Sequence, residues 1–154
     1  MGVRGARFRA RFEKGTSVLI DTAPLIYHLE DVEPWSQLTT MAFDLIASEQ
    51  VNGFLSAVSV TELLVKPIAA GAQTAEAAER FLLSIPNVTI APVDYAVARR
   101  AAELRARYHA RTPDALIIAT ALVLGIERVL TNDVRLEAYE PEGVEILLLS
   151  RFVV

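Results

Sequence analysis

Four carboxylates in this chain each stand where an apolar stretch gives way to a turn or a helix. Asp21 follows Ser17-Val18-Leu19-Ile20, Glu62 lies just past the run 53–59, Asp114 belongs to Thr112-Pro113-Asp114, and Asp133 ends Thr131-Asn132-Asp133. In an open parallel α/β sheet the loops at the carboxyl ends of the strands converge on one crevice, so acids far apart in sequence can meet there. Carboxylates packed that closely repel. Either some hold their protons to a higher pH, or a divalent cation lies among them, and an oxygen-only donor set suits magnesium or manganese. The pattern is that of a metal-dependent enzyme.

Each acid also fits an ordinary structural role. Ser59-Val60-Thr61-Glu62 matches the capping box that finishes a helix start, with Lys66 four residues on as an ion-pair partner. Thr112 could cap a helix whose first residue is Pro113, leaving Asp114 to complement the helix dipole for roughly 0.3–1 kcal/mol. Asn132-Asp133 is common turn chemistry, whereas Asp21 directly after an apolar strand is costly to leave unpaired. Four independent caps have no reason to share one edge of a sheet. A metal site requires that they do.

The elements that must position these acids follow from periodicity. Val18 to Ile20 is a short β-branched and apolar run, as in a strand buried on both faces. Leu38, Met41, Leu45 and Ile46 recur at helical spacing within 34–50. Residues 53–58 read as a second strand, 59–70 and 74–85 as a helical pair broken at Gly71, and 87–91 as a third strand. Pro92-Val93-Asp94 opens a helix with Val97, Ala101 and Leu104 on one face, and a mostly apolar helix runs from Pro113 to Gly125. Residues 128–131 and 144–149 are the last strands. Strands alternating with helices imply a parallel sheet with right-handed crossovers. The domain is read as 16–154. Residues 1–15, with Arg4, Arg7, Arg9, Arg11 and Lys14, are read as a flexible basic extension.

Composition narrows the function classes. With 53% hydrophobic residues and a mean hydropathy of +0.35 over 154 residues, the chain has apolar surface to offer a partner as well as a core. No stretch approaches the roughly 20 apolar residues of a membrane span, and no secretory signal is visible, so a cytoplasmic location is expected. The absence of cysteine excludes thiolate chemistry and Cys-ligated zinc. His28 reads as packing, His109 as a helix-end residue, Trp35 as an anchor and Asp94 as an N-cap. A net charge of −4 opposes indiscriminate nucleic-acid binding, which leaves the helix edge of Arg99, Arg100, Arg105, Arg107 and Arg111 as a local candidate for phosphate contact.

Val18-Leu19-Ile20-Asp21-Thr22, Ser59-Val60-Thr61-Glu62-Leu63-Leu64, Thr112-Pro113-Asp114 with the following Ala115 to Ala121, and Leu130-Thr131-Asn132-Asp133 together resemble the four acidic motifs of PIN-domain nucleases. Their order and spacing are similar to those of the VapC toxins of toxin–antitoxin pairs. The resemblance implies a three-layer α/β/α sandwich with a central parallel sheet and a magnesium- or manganese-dependent endoribonuclease. It makes Asp21, Glu62, Asp114 and Asp133 the catalytic and metal-binding residues, with Thr131 in support. Its implied partners are an RNA substrate, a second copy in a homodimer, and an antitoxin whose C-terminal segment covers the groove. The helical pair 59–85 is the expected contact face, with Leu63 and Leu82 as its probes. Val134-Arg135-Leu136 departs from the family by lacking an aromatic after the fourth acid. The competing reading is a catalytically silent binding module whose acidic pocket takes a basic partner segment. A haloacid-dehalogenase-type phosphotransferase fits poorly, because Ala23 stands where its second acid belongs.

Overall fold

The structure is a computed structural model that describes residues 3–153. Five strands, β1 (Ser17–Ile20), β2 (Asn52–Ser56), β3 (Val88–Ala91), β4 (Arg128–Thr131) and β5 (Glu145–Leu148), form one sheet in the order β3-β2-β1-β4-β5. Every pairing is parallel. The strand order reverses between β1 and β4, so the crevice expected of such a sheet opens at their carboxyl ends.

The helices are α1 (Val3–Arg9), α2 (Thr22–Leu29), α3 (Trp35–Ala47), α4 (Ala57–Ala70), α5 (Ala72–Ser84), α6 (Tyr95–Tyr108) and α7 (Thr112–Leu124). Side chains alternate across β1, and both faces are covered. Val18 and Ile20 point into a core with Leu25 of α2, Ile46 of α3, Leu63 of α4 and Leu82 of α5. Leu19 points into the opposite core with Val97 and Leu104 of α6 and Ile118 of α7. The result is the expected α/β/α sandwich. Gly53 of β2 lies so close under α3 that a Cβ there would meet Ile46 Cδ1 at 2.6 Å. No helix among the described residues is long and apolar enough to cross a membrane.

Three expectations need correction. The second strand ends at Ser56, which caps α4 by accepting from the Val58 amide at 3.2 Å, so Ser59 is already in the helix and is not its cap. Helix α7 starts at Thr112, with Arg111 in the capping position and no side-chain cap. Within the basic segment 1–15, whose first two residues lie outside the described chain, α1 is a packed helix in place of a flexible leader. Phe8 is fully buried, and its ring meets Phe12 at 5.0 Å and Phe152 at 5.2 Å. Two phenylalanines four residues apart form an apolar stripe, and burying it outweighs the ordering cost of a short helix.

Leu63 and Leu82, 4% and 5% exposed, face the core. A charge at either would unfold the domain instead of probing an interface. The outward apolar residues of the pair are Val65, Ile68 and Leu83, at 59%, 59% and 77% exposure.

Candidate active site

Asp21 leaves the end of β1 as the N-cap of α2. Its Oδ1 accepts the Thr22 amide at 2.8 Å and its Oδ2 accepts the Thr131 hydroxyl at 2.7 Å. Thr131, fully buried at the end of β4, accepts the Asp133 amide on the same hydroxyl at 3.0 Å. One side chain thus ties the acid of β1 to the loop carrying the acid of β4. Thr22 performs the matching task toward α4: its hydroxyl lies 2.8 Å from the Ser59 hydroxyl and donates to Glu62 Oε1 at 3.1 Å. With its single proton given to Glu62, Thr22 must receive the proton of the buried Ser59. Glu62 therefore sits one turn inside α4 and is aimed at the strand ends by Thr22. No ion pair joins it to Lys66 among the described residues.

Asp114 projects from the first turn of α7, with Arg111 Nε at 3.0 Å. Asp133 caps the 3-10 segment Val134–Glu142 through the Arg135 amide at 3.0 Å, and the Arg135 guanidinium lies against both its oxygens at 2.9 and 3.1 Å from Nε.

Two of the acids are shifted in opposite directions. Burial pushes the Asp21 carboxyl above its ordinary value; its hydrogen bonds from Thr131 and Thr22 work the other way, and the negative charges of Glu62 and Asp114 add to the rise. Asp133 is shifted down by its hydrogen bond from Arg135. Tyr139, buried within the 3-10 segment that Asp133 caps, is shifted up by burial and by the charges of Asp114 and Asp133.

Among the described residues no three acids or histidines stand close enough together to hold an ion as they are. Two of the four carboxylates are occupied by Arg111 and Arg135. The donor set is nonetheless oxygen alone, and Asp21 and Glu62 have no cationic partner among the described residues. Such a set fits a hard divalent cation better than any other ligand of that charge. Sequence reasoning gave Thr22 no role of its own and read Ser59 only as part of a capping box; it placed Arg111 on a phosphate-contact edge and Arg135 in a departure from the family, and paired neither with its acid. Arg111 three residues before Asp114 and Arg135 two after Asp133 were the available signals.

Removing the Thr131 hydroxyl leaves Asp21 Oδ2 and the Asp133 amide without their shared partner. We expect Thr131→Ala to cost about 1–3 kcal/mol, read by urea denaturation. Thr131→Ser should recover most of that loss.

A family model described as PIN domain matches residues 18–140. No curated protein matches the chain. Among solved structures, VapBC2 from Rickettsia felis bound to a promoter DNA fragment superposes with a TM-score of 0.67 at 13% identity, covering 86% of this chain and 98% of that one. FitAcB from Neisseria gonorrhoeae gives 0.64 at 22% identity over 86% and 98%. VapC20 from Mycobacterium tuberculosis, described as a sarcin-ricin loop cleaving toxin, gives 0.61 at 20% identity over 79% and 93%. These likenesses establish the fold. The family model spans the strand and acid of β1, the Thr22–Ser59–Glu62 contact, Asp114 on α7 and the Thr131–Asp133 loop, and the chain belongs to the PIN domain family.

Proposed function

We propose that this chain is a divalent-metal-dependent endoribonuclease and the toxin of a toxin–antitoxin pair, acting in the cytoplasm on RNA phosphodiester bonds. The observation that carries the reading is Asp21. It is a part-buried carboxylate at the reversal of strand order, in the field of Glu62 and Asp114 and without a cation of its own among the described residues. Such a charge costs free energy where it stands unless a ligand compensates it. One or two magnesium or manganese ions would neutralise the scissile phosphate and activate water there.

The chain's own residues divide the remaining work. Asp21 and Asp114 are the principal ligands and Asp133 completes the set. Glu62, steered by Thr22, orients the attacking water or a second ion. Thr131 keeps Asp21 and the Asp133 loop in common register. Arg111 and Arg135 neutralise Asp114 and Asp133 in the resting chain. The family membership supports this reading, as do the toxin–antitoxin complexes among the structural neighbours. Attack by water leaves a 5′-phosphate and a 3′-hydroxyl. The test is incubation of antitoxin-free protein with total cellular RNA in magnesium, manganese or EDTA, followed by analysis of the new ends. Discrete metal-dependent cuts with those ends are the expected result, and ends carrying a 2′,3′-cyclic phosphate would refute the route.

One observation favours the binding-module alternative: two of the four acids already grip guanidinium groups. Its signature is folded protein that cuts nothing in any metal yet retains an arginine-bearing peptide.

The partner surface in this reading, for a second copy or the antitoxin, is the outer face of α4, where Val60, Leu64, Val65 and Ile68 line an apolar groove. Ile68→Glu should leave the fold intact and weaken association about tenfold or more. Light scattering of the eluting species checks this, and an unchanged mass at all concentrations would discard the surface.

A further inference from the structure

We infer that α1 and the turn after it form a phosphate-binding surface for the RNA substrate. The inference rests on the ribonuclease reading for its choice of RNA and on the distribution of charge for its place. Residues 1–16 carry Arg4, Arg7, Arg9, Arg11 and Lys14 against Glu13 alone, a net +4 in a chain of −4, so the remainder carries −8. A polyanion is repelled by most of this protein and attracted by one segment of it.

Pairing sharpens the contrast. Nine of the fifteen basic side chains are bound to carboxylates, among them Arg99, Arg100 and Arg107 of α6, which meet Glu103 and Glu142. The basic edge expected on α6 is therefore largely neutralised by the protein itself. Arg7, Arg9 and Lys14 are exposed and make no ion pair among the described residues.

Position completes the argument. Phe8 packs on Phe152 and Arg4 Nη1 donates to the Val153 carbonyl at 2.9 Å, while Arg11 reaches Glu145 at the start of β5. The first turns of α1 thus pack on the segment that follows β5, and the turn after α1 reaches the start of β5. At the carboxyl end of β5, the Ser150 amide donates to Asn132 Oδ1 at 3.1 Å, and Asn132 precedes Asp133. The basic helix is anchored on the C-terminal segment by aromatic packing and by the Arg4 hydrogen bond. From Arg4 to Arg9 it rises about 7.5 Å, the length of about two phosphates at the spacing of one duplex strand.

The test is the triple variant Arg7→Gln, Arg9→Gln, Lys14→Gln in the full chain, with Phe8 and Phe12 untouched and thermal unfolding as the folding control. Binding of a fluorescent single-stranded RNA is measured in EDTA, where no cleavage competes, over a series of salt concentrations. If each cation meets a phosphate, the slope of log K against log salt becomes shallower by about 2 and affinity falls on the order of tenfold. The control Arg99→Gln, a residue already paired with Glu103, leaves the slope unchanged. An equal slope for wild type and triple variant overturns the inference, as does wild-type protein that binds no RNA. Loss of binding to duplex DNA or to an acidic partner, with the RNA slope unchanged, also overturns it. Cleavage with magnesium or manganese is scored separately. Wild type that cuts RNA while the triple variant keeps its slope sinks this surface alone, and wild type that binds through α1 but never cuts sinks the nuclease reading alone.

Discussion

Asp21→Asn and Asp114→Asn are each expected to lower the rate of RNA cleavage about a thousandfold or more while leaving the fold intact. The magnitude follows from what the acids would hold: a metal ion at a phosphoryl centre supplies several kcal/mol of transition-state stabilisation, and each 1.36 kcal/mol is a factor of about ten. Asparagine keeps the shape of Asp21. Its oxygen can still accept the Thr22 amide and its nitrogen can turn to the Thr131 hydroxyl, so a loss of activity reports charge and not collapse. Glu62→Gln should cost less, about ten- to a hundredfold, because Glu62 is exposed and touches the rest of the site only through Thr22. Single-turnover cleavage of one defined RNA checks the series. Retention of full activity by Asp21→Asn would end the metal reading of this site.

The second large effect is on stability, and it has a sign that changes with the ion. Burial raises the Asp21 carboxyl above its ordinary value near 3.8, so the folded state binds that proton more tightly than the unfolded state does. This contribution to stability is fully present below the ordinary value and is lost as pH climbs through the raised one. At neutral pH, without metal, the ionised Asp21 therefore destabilises the fold, and Asp21→Asn should melt a few degrees higher than wild type. Saturating magnesium or manganese reverses the order. An ion at about 100 times its dissociation constant adds about 2.7 kcal/mol, and at about 2–4 °C per kcal/mol for a domain of this size the wild type should gain about 5–10 °C. The variant should gain little. Melting curves at pH 7 with EDTA and with each metal decide the matter, and equal shifts in both proteins would place the ion elsewhere.

Sequence periodicity was enough for the sheet and for the acids after β1 and β4, because a short apolar run that ends in a carboxylate must pass from the core to a polar edge at that residue. It failed at the start of α4. Ser56 and Ser59 are both serines three residues from an acceptable helix position, and Ala57-Val58 fits the end of a strand as well as the first turn of a helix. The choice was made by tertiary contact, since burying Ser59 against Thr22 requires the helix to begin earlier. The leader failed for a related reason. Phe8 and Phe12 show an apolar stripe, but their partner Phe152 lies at the far end of the chain, where no local pattern can point to it. Which leucines of α4 and α5 face inward was likewise decided by packing, as Leu63 and Leu82 show.

The hydroxyl bridges of the site join residues distant in sequence: Thr22 to Ser59 across 37 positions and Thr131 to Asp21 across 110. Closing such long loops is the slow part of folding a parallel sheet, because chain entropy is lost before the contacts that reward it are made. No helical pair or hairpin of this chain can assemble the acids ahead of the rest. A partly folded molecule, whether newly made or recovering from stress, therefore has no crevice to use. On the ribonuclease reading, activity requires β1 and β4 to be paired, and in a refolding experiment it should return no earlier than the native tertiary signal.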